Sequence, residues 1–121
     1  MKYVALIYNN PGAFEAMSQT ERDQLMSEAD AYLKEFTDSG ELLGGGFALA
    51  DASTGRTVRV RNGLSSVTDG PFAEAKEQLA GFYLLDTESI ERATEIVAHD
   101  PAARFWAVEV RPVMDEAGSE M

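Results

Sequence analysis

The sequence contains no cysteine, one histidine and one tryptophan. Without thiols there are no disulfides, no thiolate nucleophile and no cysteine metal site. With carboxylates as the main remaining ligands and no calcium-type loop, neither a metal nor a cofactor is expected. Basic residues are also scarce, 10 against 21 acidic, which gives a formal net charge of -11. Such a chain is repelled by nucleic-acid phosphates and by anionic membrane surfaces, so neither is an expected partner. No apolar run approaches membrane-spanning length. Residues 1–8 enter a strand pattern at once, with no secretory leader visible, and a cytoplasmic protein is the default expectation.

What is present is a well-stocked interior: 45% of the 121 residues are hydrophobic, enough for one domain with its own core. Residues 2–8 are apolar on both alternating faces, which predicts a central strand covered on both sides. Ser18 with Glu21 three residues later forms a capping box that starts a helix. Leu25, Ala29, Tyr32, Leu33 and Phe36 then recur at helical spacing until about Asp38, where Gly40 supplies the stop. Residues 41–50 read as a strand interrupted by Gly44, Gly45 and Gly46, a pattern that suits a bulge at a pocket wall better than a phosphate loop.

Asn62-Gly63 between residues 57–61 and 64–68 predicts a two-residue hairpin, with Arg59 and Arg61 on its solvated face. A further strand is expected over residues 77–85. The next helix is expected to be capped by Thr87 and to end near His99, before Pro101. A last strand follows over residues 105–111, with Trp106, Val108 and Val110 inward. The expected domain covers residues 1–112, followed by a polar acidic tail over 113–121. This order gives an α+β fold, a ferredoxin-like βαββαβ plan with an inserted β-hairpin. Two helices cover one sheet face only, so the apolar second face predicts a homodimer packed sheet to sheet.

The segment VTDGPFAEAKEQLAGFYLL, residues 67–85, resembles the DGPF-domain branch of the YCII-related family. Asp69, Gly70, Pro71 and Phe72 supply its tetrapeptide; Glu74, Lys76, Glu77 and Gly81 follow at the family spacing, and VEVRPV at 108–113 also fits. The resemblance implies a dimeric α/β barrel of ferredoxin-like subunits. It also implies gene neighbourhoods shared with extracytoplasmic-function sigma factors. YCII-like relatives pair a first-helix histidine with an aspartate; here that helix has no histidine, and the nearest register holds Ala29. Asp100-Pro101 is an arrangement that those relatives share.

Four residues stand out as candidate catalytic groups: Asp69, Lys76, Glu77 and His99. Asp69 either caps a stiff Asp-Gly-Pro turn or is held by it at a pocket mouth as a base or hydroxyl acceptor. Glu74, Lys76 and Glu77 form either a solvated charge run or, if Glu77 faces inward, a group whose proton affinity is shifted with Lys76 beside it. His99 is the obvious acid/base candidate by residue type, yet a cation at a helix C-terminus is favoured by the dipole alone. Two functions fit. One is a domain that binds a small aromatic or enol-like metabolite, with proton-transfer chemistry of lyase or isomerase type. The other is a non-enzymatic module for a sigma-factor partner, using the acidic surface and the Arg59 and Arg61 hairpin.

Overall fold

The computed structural model describes residues 1–44, 46–71 and 76–115. Its elements run β1 (Lys2–Asn9), α1 (Ala13–Ala16), α2 (Gln19–Asp38), β2 (Phe47–Ala48), β3 (Arg56–Arg61), β4 (Leu64–Asp69), β5 (Gln78–Asp86), α3 (Ile90–Val97), α4 (Pro101–Phe105) and β6 (Ala107–Pro112). The doubly apolar β1 lies in the middle of a four-stranded sheet of order β2-β5-β1-β6, and every pairing is antiparallel. With the hairpin set aside, this is the strand order of the expected βαββαβ plan.

The helix signals act where the side chains place them. Ser18 accepts from the Glu21 backbone while the Glu21 side chain accepts from the Ser18 N–H, so two orphan donors of the first turn of α2 are satisfied reciprocally. Gly40, at φ 83°, reverses the chain after α2. The core forms where Tyr32 and Phe36 of α2 and Ile96 and Val97 of α3 meet the inward face of the sheet. That face carries Tyr3, Ala5, Tyr83 and Leu85.

On the opposite face, Val4 and Leu6 of β1 stand beside Leu84 and Phe82 of β5, and Phe82 in turn pairs with Phe47 of β2. Phe47, Phe82 and Leu84 are exposed there. The hairpin β3–β4 forms a separate two-stranded sheet around Asn62 (φ 51°) and Gly63 (φ 76°), the positive pair that a tight hairpin requires. It leaves Val58, Val60, Leu64 and Val67 exposed.

Three expectations are corrected. Ser89, not Thr87, caps α3: its side chain accepts from Arg92 N, and Thr87 instead donates to the Ser89 carbonyl. The capping residue is the one adjacent to the first apolar helical position, Ile90. The strand expected over 41–50 is broken, with only Phe47–Ala48 regular. Leu43 and Leu49 each donate one further bond to β5. Gly44, at φ 96°, takes the chain out of extended geometry, and Gly45 lies outside the described residues.

Finally, residues 101–105 are helical, so the last strand begins at Ala107; Val108 and Val110 pack against the core as expected. Asp-Pro is a helix start as well as a helix stop, because Pro suits the first helical position and Asp suits the cap. In the expected tail, Val113 still donates to the Lys2 carbonyl, and residues 116–121 lie outside the described residues.

Gly81 sets how closely β2 approaches β5. A Cβ built there would lie 2.7 Å from the Phe47 carbonyl oxygen, a backbone atom that cannot swing aside. Gly81→Ala is expected to destabilise the chain by about 1–3 kcal/mol through overpacking. A urea midpoint equal to that of the parent chain would contradict this close approach.

Candidate functional site

A cavity of about 550 Å³ opens between α2 and the sheet. The helix contributes Leu25, Met26, Ala29, Asp30, Tyr32 and Leu33 to its wall. Residues 46–51 line the sheet-edge side, including the Gly46 singled out from the glycine triplet, and β5 adds Gln78, Ala80, Phe82 and Tyr83. A register shift between Ile7 and Tyr8 leaves Ala80 as an extra residue in β5, a bulge of the kind that re-aims side chains beside functional sites. Ile7 and Asn9 of β1, Phe14 and Glu15 of α1, and Asp100, Ala102 and Trp106 complete the lining.

At the floor, three buried side chains are joined. Tyr83 donates to Asp100 Oδ2 at 2.7 Å, and the Tyr32 and Tyr83 hydroxyls are 2.9 Å apart. Ala102 N–H donates to Asp100 Oδ1 at 2.8 Å, because Asp100 is the N-cap of α4 and Pro101 occupies the first helical position. The single Tyr83 proton is committed to the carboxylate, so Tyr32 must donate to Tyr83 when Asp100 is ionised. With Asp100 protonated, the carboxyl can donate to Tyr83 and the chain can run the other way.

Burial drives the electrostatics of this triad. Asp100 is 6% exposed, and desolvation raises its pKa above the ordinary carboxyl range, although hydrogen bonds from Tyr83 and Ala102 N pull it back down. Desolvation also pushes both tyrosines well above the ordinary phenol range, with the Asp100 charge adding to the effect on Tyr83. The tyrosines therefore stay neutral, and Asp100 is the titrating member of the chain.

A second polar cluster lies elsewhere on the wall. Gln78 Nε2 donates to Asn9 Oδ1 at 3.1 Å and to Asp51 Oδ2 at 3.3 Å, and Gln78 Oε1 accepts from Ala52 N at 2.8 Å. Asp51 also accepts from the Gly12 and Ser53 backbones and from the Ser53 hydroxyl, bonds that lower its pKa to about 2. It is a fixed anion at neutral pH.

None of the four residues singled out from the sequence lines this cavity. Asp69 ends β4 with its side chain 93% exposed and 3.7 Å from Arg56. The following Gly70, at φ 85°, clasps the base of the hairpin: its N–H donates to the Gly55 carbonyl, and its own carbonyl accepts from Thr57. Lys76 and Glu77 are exposed just before β5, while Phe72 and Glu74 lie outside the described residues. His99 is exposed beyond the end of α3, its ring 6.1 Å from that of Phe36, and borders a separate shallow depression with Glu28, Glu35 and Arg104. The structure brings none of the four within a common concavity.

The sequence did carry a signal for the site that was found. Asp100-Pro101 reads as a helix end and a shared arrangement; read as an N-cap, it also fixes the carboxyl's direction. Tyr32 falls on the apolar face expected of the first helix and Tyr83 in the strand expected over residues 77–85; both rings are core, but a buried tyrosine hydroxyl needs a partner. That requirement links them to the buried acid.

Comparison with known proteins places this geometry in context. The model of the YCII-related domain matches residues 1–117. An uncharacterized protein of Rhizobium meliloti (strain 1021) is 37% identical over 115 residues, covering 93% of this chain and 92% of that protein. Among solved structures, the 5-chloro-2-hydroxyhydroquinone dehydrochlorinase TftG from Burkholderia phenoliruptrix AC1100, in complex with 2,5-dihydroxybenzoquinone, is similar with a TM-score of 0.53 and 16% identity. That match covers 99% of this chain and 100% of TftG, and at such identity it establishes likeness of fold.

Proposed function

The chain belongs to the YCII-related domain family, and on that footing we propose that its cavity binds a small ring-containing molecule and that Asp100 exchanges a proton with it. The observation that carries this reading is a buried, titratable carboxyl on the floor of a largely apolar cavity, joined through Tyr83 to a second cavity hydroxyl on Tyr32. Such a chain can take up a proton at one point and release it at another without exposing a charge, the requirement for general acid–base work on a hydroxyl or an enolisable carbonyl. The cavity volume falls within the range of about 300–1,000 Å³ common to small-molecule sites. TftG, alike in fold, is a dehydrochlorinase solved with a dihydroxylated ring, which favours a lyase-type reaction on a compound of that size. The relatives named above add no support to the sigma-factor role.

The test is a thermal-shift screen of hydroxylated ring compounds, followed by solvent-deuterium incorporation into whatever binds. Exchange catalysed by the parent chain and lost in Asp100→Asn supports the proposal. A binder that exchanges equally fast with both proteins overturns it, as does a screen with no binder.

The open sheet face supports a homodimer forming an α/β barrel. Phe47, Phe82 and Leu84 are exposed side by side with Val4 and Leu6, an apolar surface that a second copy of the same face would cover. Sedimentation equilibrium at micromolar concentration is expected to give twice the chain mass of 13.2 kDa. A single species of 13.2 kDa would sink the dimer.

A further inference from the structure

We infer that the cavity selects a ligand carrying a protonated nitrogen and rejects carboxylates and phosphates. This deepens the proposed function and rests on the same cavity being the ligand site. Among the described residues no lysine, arginine or histidine lines it, whereas Glu15, Asp30, Asp51 and Asp100 do. Asp51 cannot be neutralised cheaply, because backbone and side-chain donors hold it ionised down to about pH 2.

The arginine beside Phe14 is tied to backbone carbonyls. Arg22 lies 5.3 Å from the Phe14 ring centroid, with its guanidinium bound to the Phe14 and Glu15 carbonyls. An anion entering such a cavity would lose hydration, and the charged side chains of the lining are of like sign. An ammonium would meet the exposed carboxylates of Glu15 and Asp30 and the aromatic side chains Phe14 and Trp106, rings of a kind that attract cations. The formal charge of -11 adds a long-range field of the same sign.

Trp106 is the only tryptophan of the chain and lines the cavity, so its fluorescence reports occupancy directly. The experiment titrates the full chain at neutral pH with three probes of one shape: phenethylamine, 2-phenylethanol and phenylacetate. Phenethylamine is expected to bind about tenfold or more tighter than phenylacetate, with the alcohol between them. Raising the salt concentration should narrow the gap. Asp30→Asn, at an exposed helix position where folding is not at stake, should narrow it as well. Phenylacetate binding as tightly as the amine overturns the inference, as does binding by none of the three. The order of the probes is independent of proton transfer: a charge preference that survives alongside unchanged exchange in Asp100→Asn would remove the acid–base role and leave this selectivity standing.

Discussion

Replacing Asp100 with asparagine is expected to slow proton transfer to a bound ligand by about 100- to 10,000-fold while leaving the chain folded. Asparagine keeps an oxygen for the Ala102 N–H, so the cap of α4 survives, and it can offer its amide N–H to Tyr83. What it cannot do is take up and release a proton. Alanine is a different test, since it removes the cap and strands the Tyr83 hydroxyl. Those losses are worth about 1 kcal/mol and about 1–3 kcal/mol respectively.

The two proteins should also differ in how stability depends on pH. Burial raises the Asp100 pKa in the folded chain, so the folded state holds this proton more tightly than the unfolded state does. The stabilisation is therefore fully present below the ordinary aspartate range and is lost as pH rises through the raised folded value. Glu41 and Asp51 act in the opposite sense. Their pKa values are lowered, chiefly by hydrogen bonds from Arg92 and from the Ser53 backbone, so their contribution is present at neutral pH and fades on acidification. Subtracting the urea stability of the parent chain from that of Asp100→Asn isolates the buried acid. The variant should gain relative to the parent as pH rises above the aspartate range, and a flat difference would contradict a raised pKa.

The scaffold was more legible than the site. Lys2–Asn9 announced a central strand because both its faces are apolar; the capping box of α2 and the Asn62-Gly63 turn are local signals that tertiary structure had no reason to override. The site depends on contacts across the chain. Tyr32 and Tyr83 are 51 residues apart and Tyr83 and Asp100 are 17 apart, separations that no periodicity encodes. Asp69 through Glu77 are conspicuous in the sequence because their charges gather beside a glycine–proline turn. Yet conspicuous charge is what solvent tolerates best, and Asp69 is almost fully exposed. A carboxyl able to titrate usefully lies where hydration has been removed, and in this chain that is the start of a five-residue helix whose N-terminal residues, Pro101 and Ala102, are buried.

Two neighbouring leucines of β5 should behave in opposite ways, and the pair tests the core and the open face together. Leu85 is fully buried, faces Tyr3 across the sheet, and is bridged by Leu42 on its other side. Leu85→Ala is expected to cost about 2–5 kcal/mol, a large share of the about 5–15 kcal/mol that holds a typical domain folded. That loss should be the same at every protein concentration for a given oligomeric state. Leu84 points the other way, 41% exposed and opposite Val4. Within one chain, Leu84→Ala removes little buried surface and should cost about 1 kcal/mol or less. If a second copy covers this face, the same truncation weakens the dimer. The melting temperature of Leu84→Ala should then fall further below that of the parent as the protein is diluted. A Leu85→Ala chain as stable as the parent would contradict the described core. A Leu84→Ala deficit that ignores concentration would leave the apolar face without a second copy to cover it.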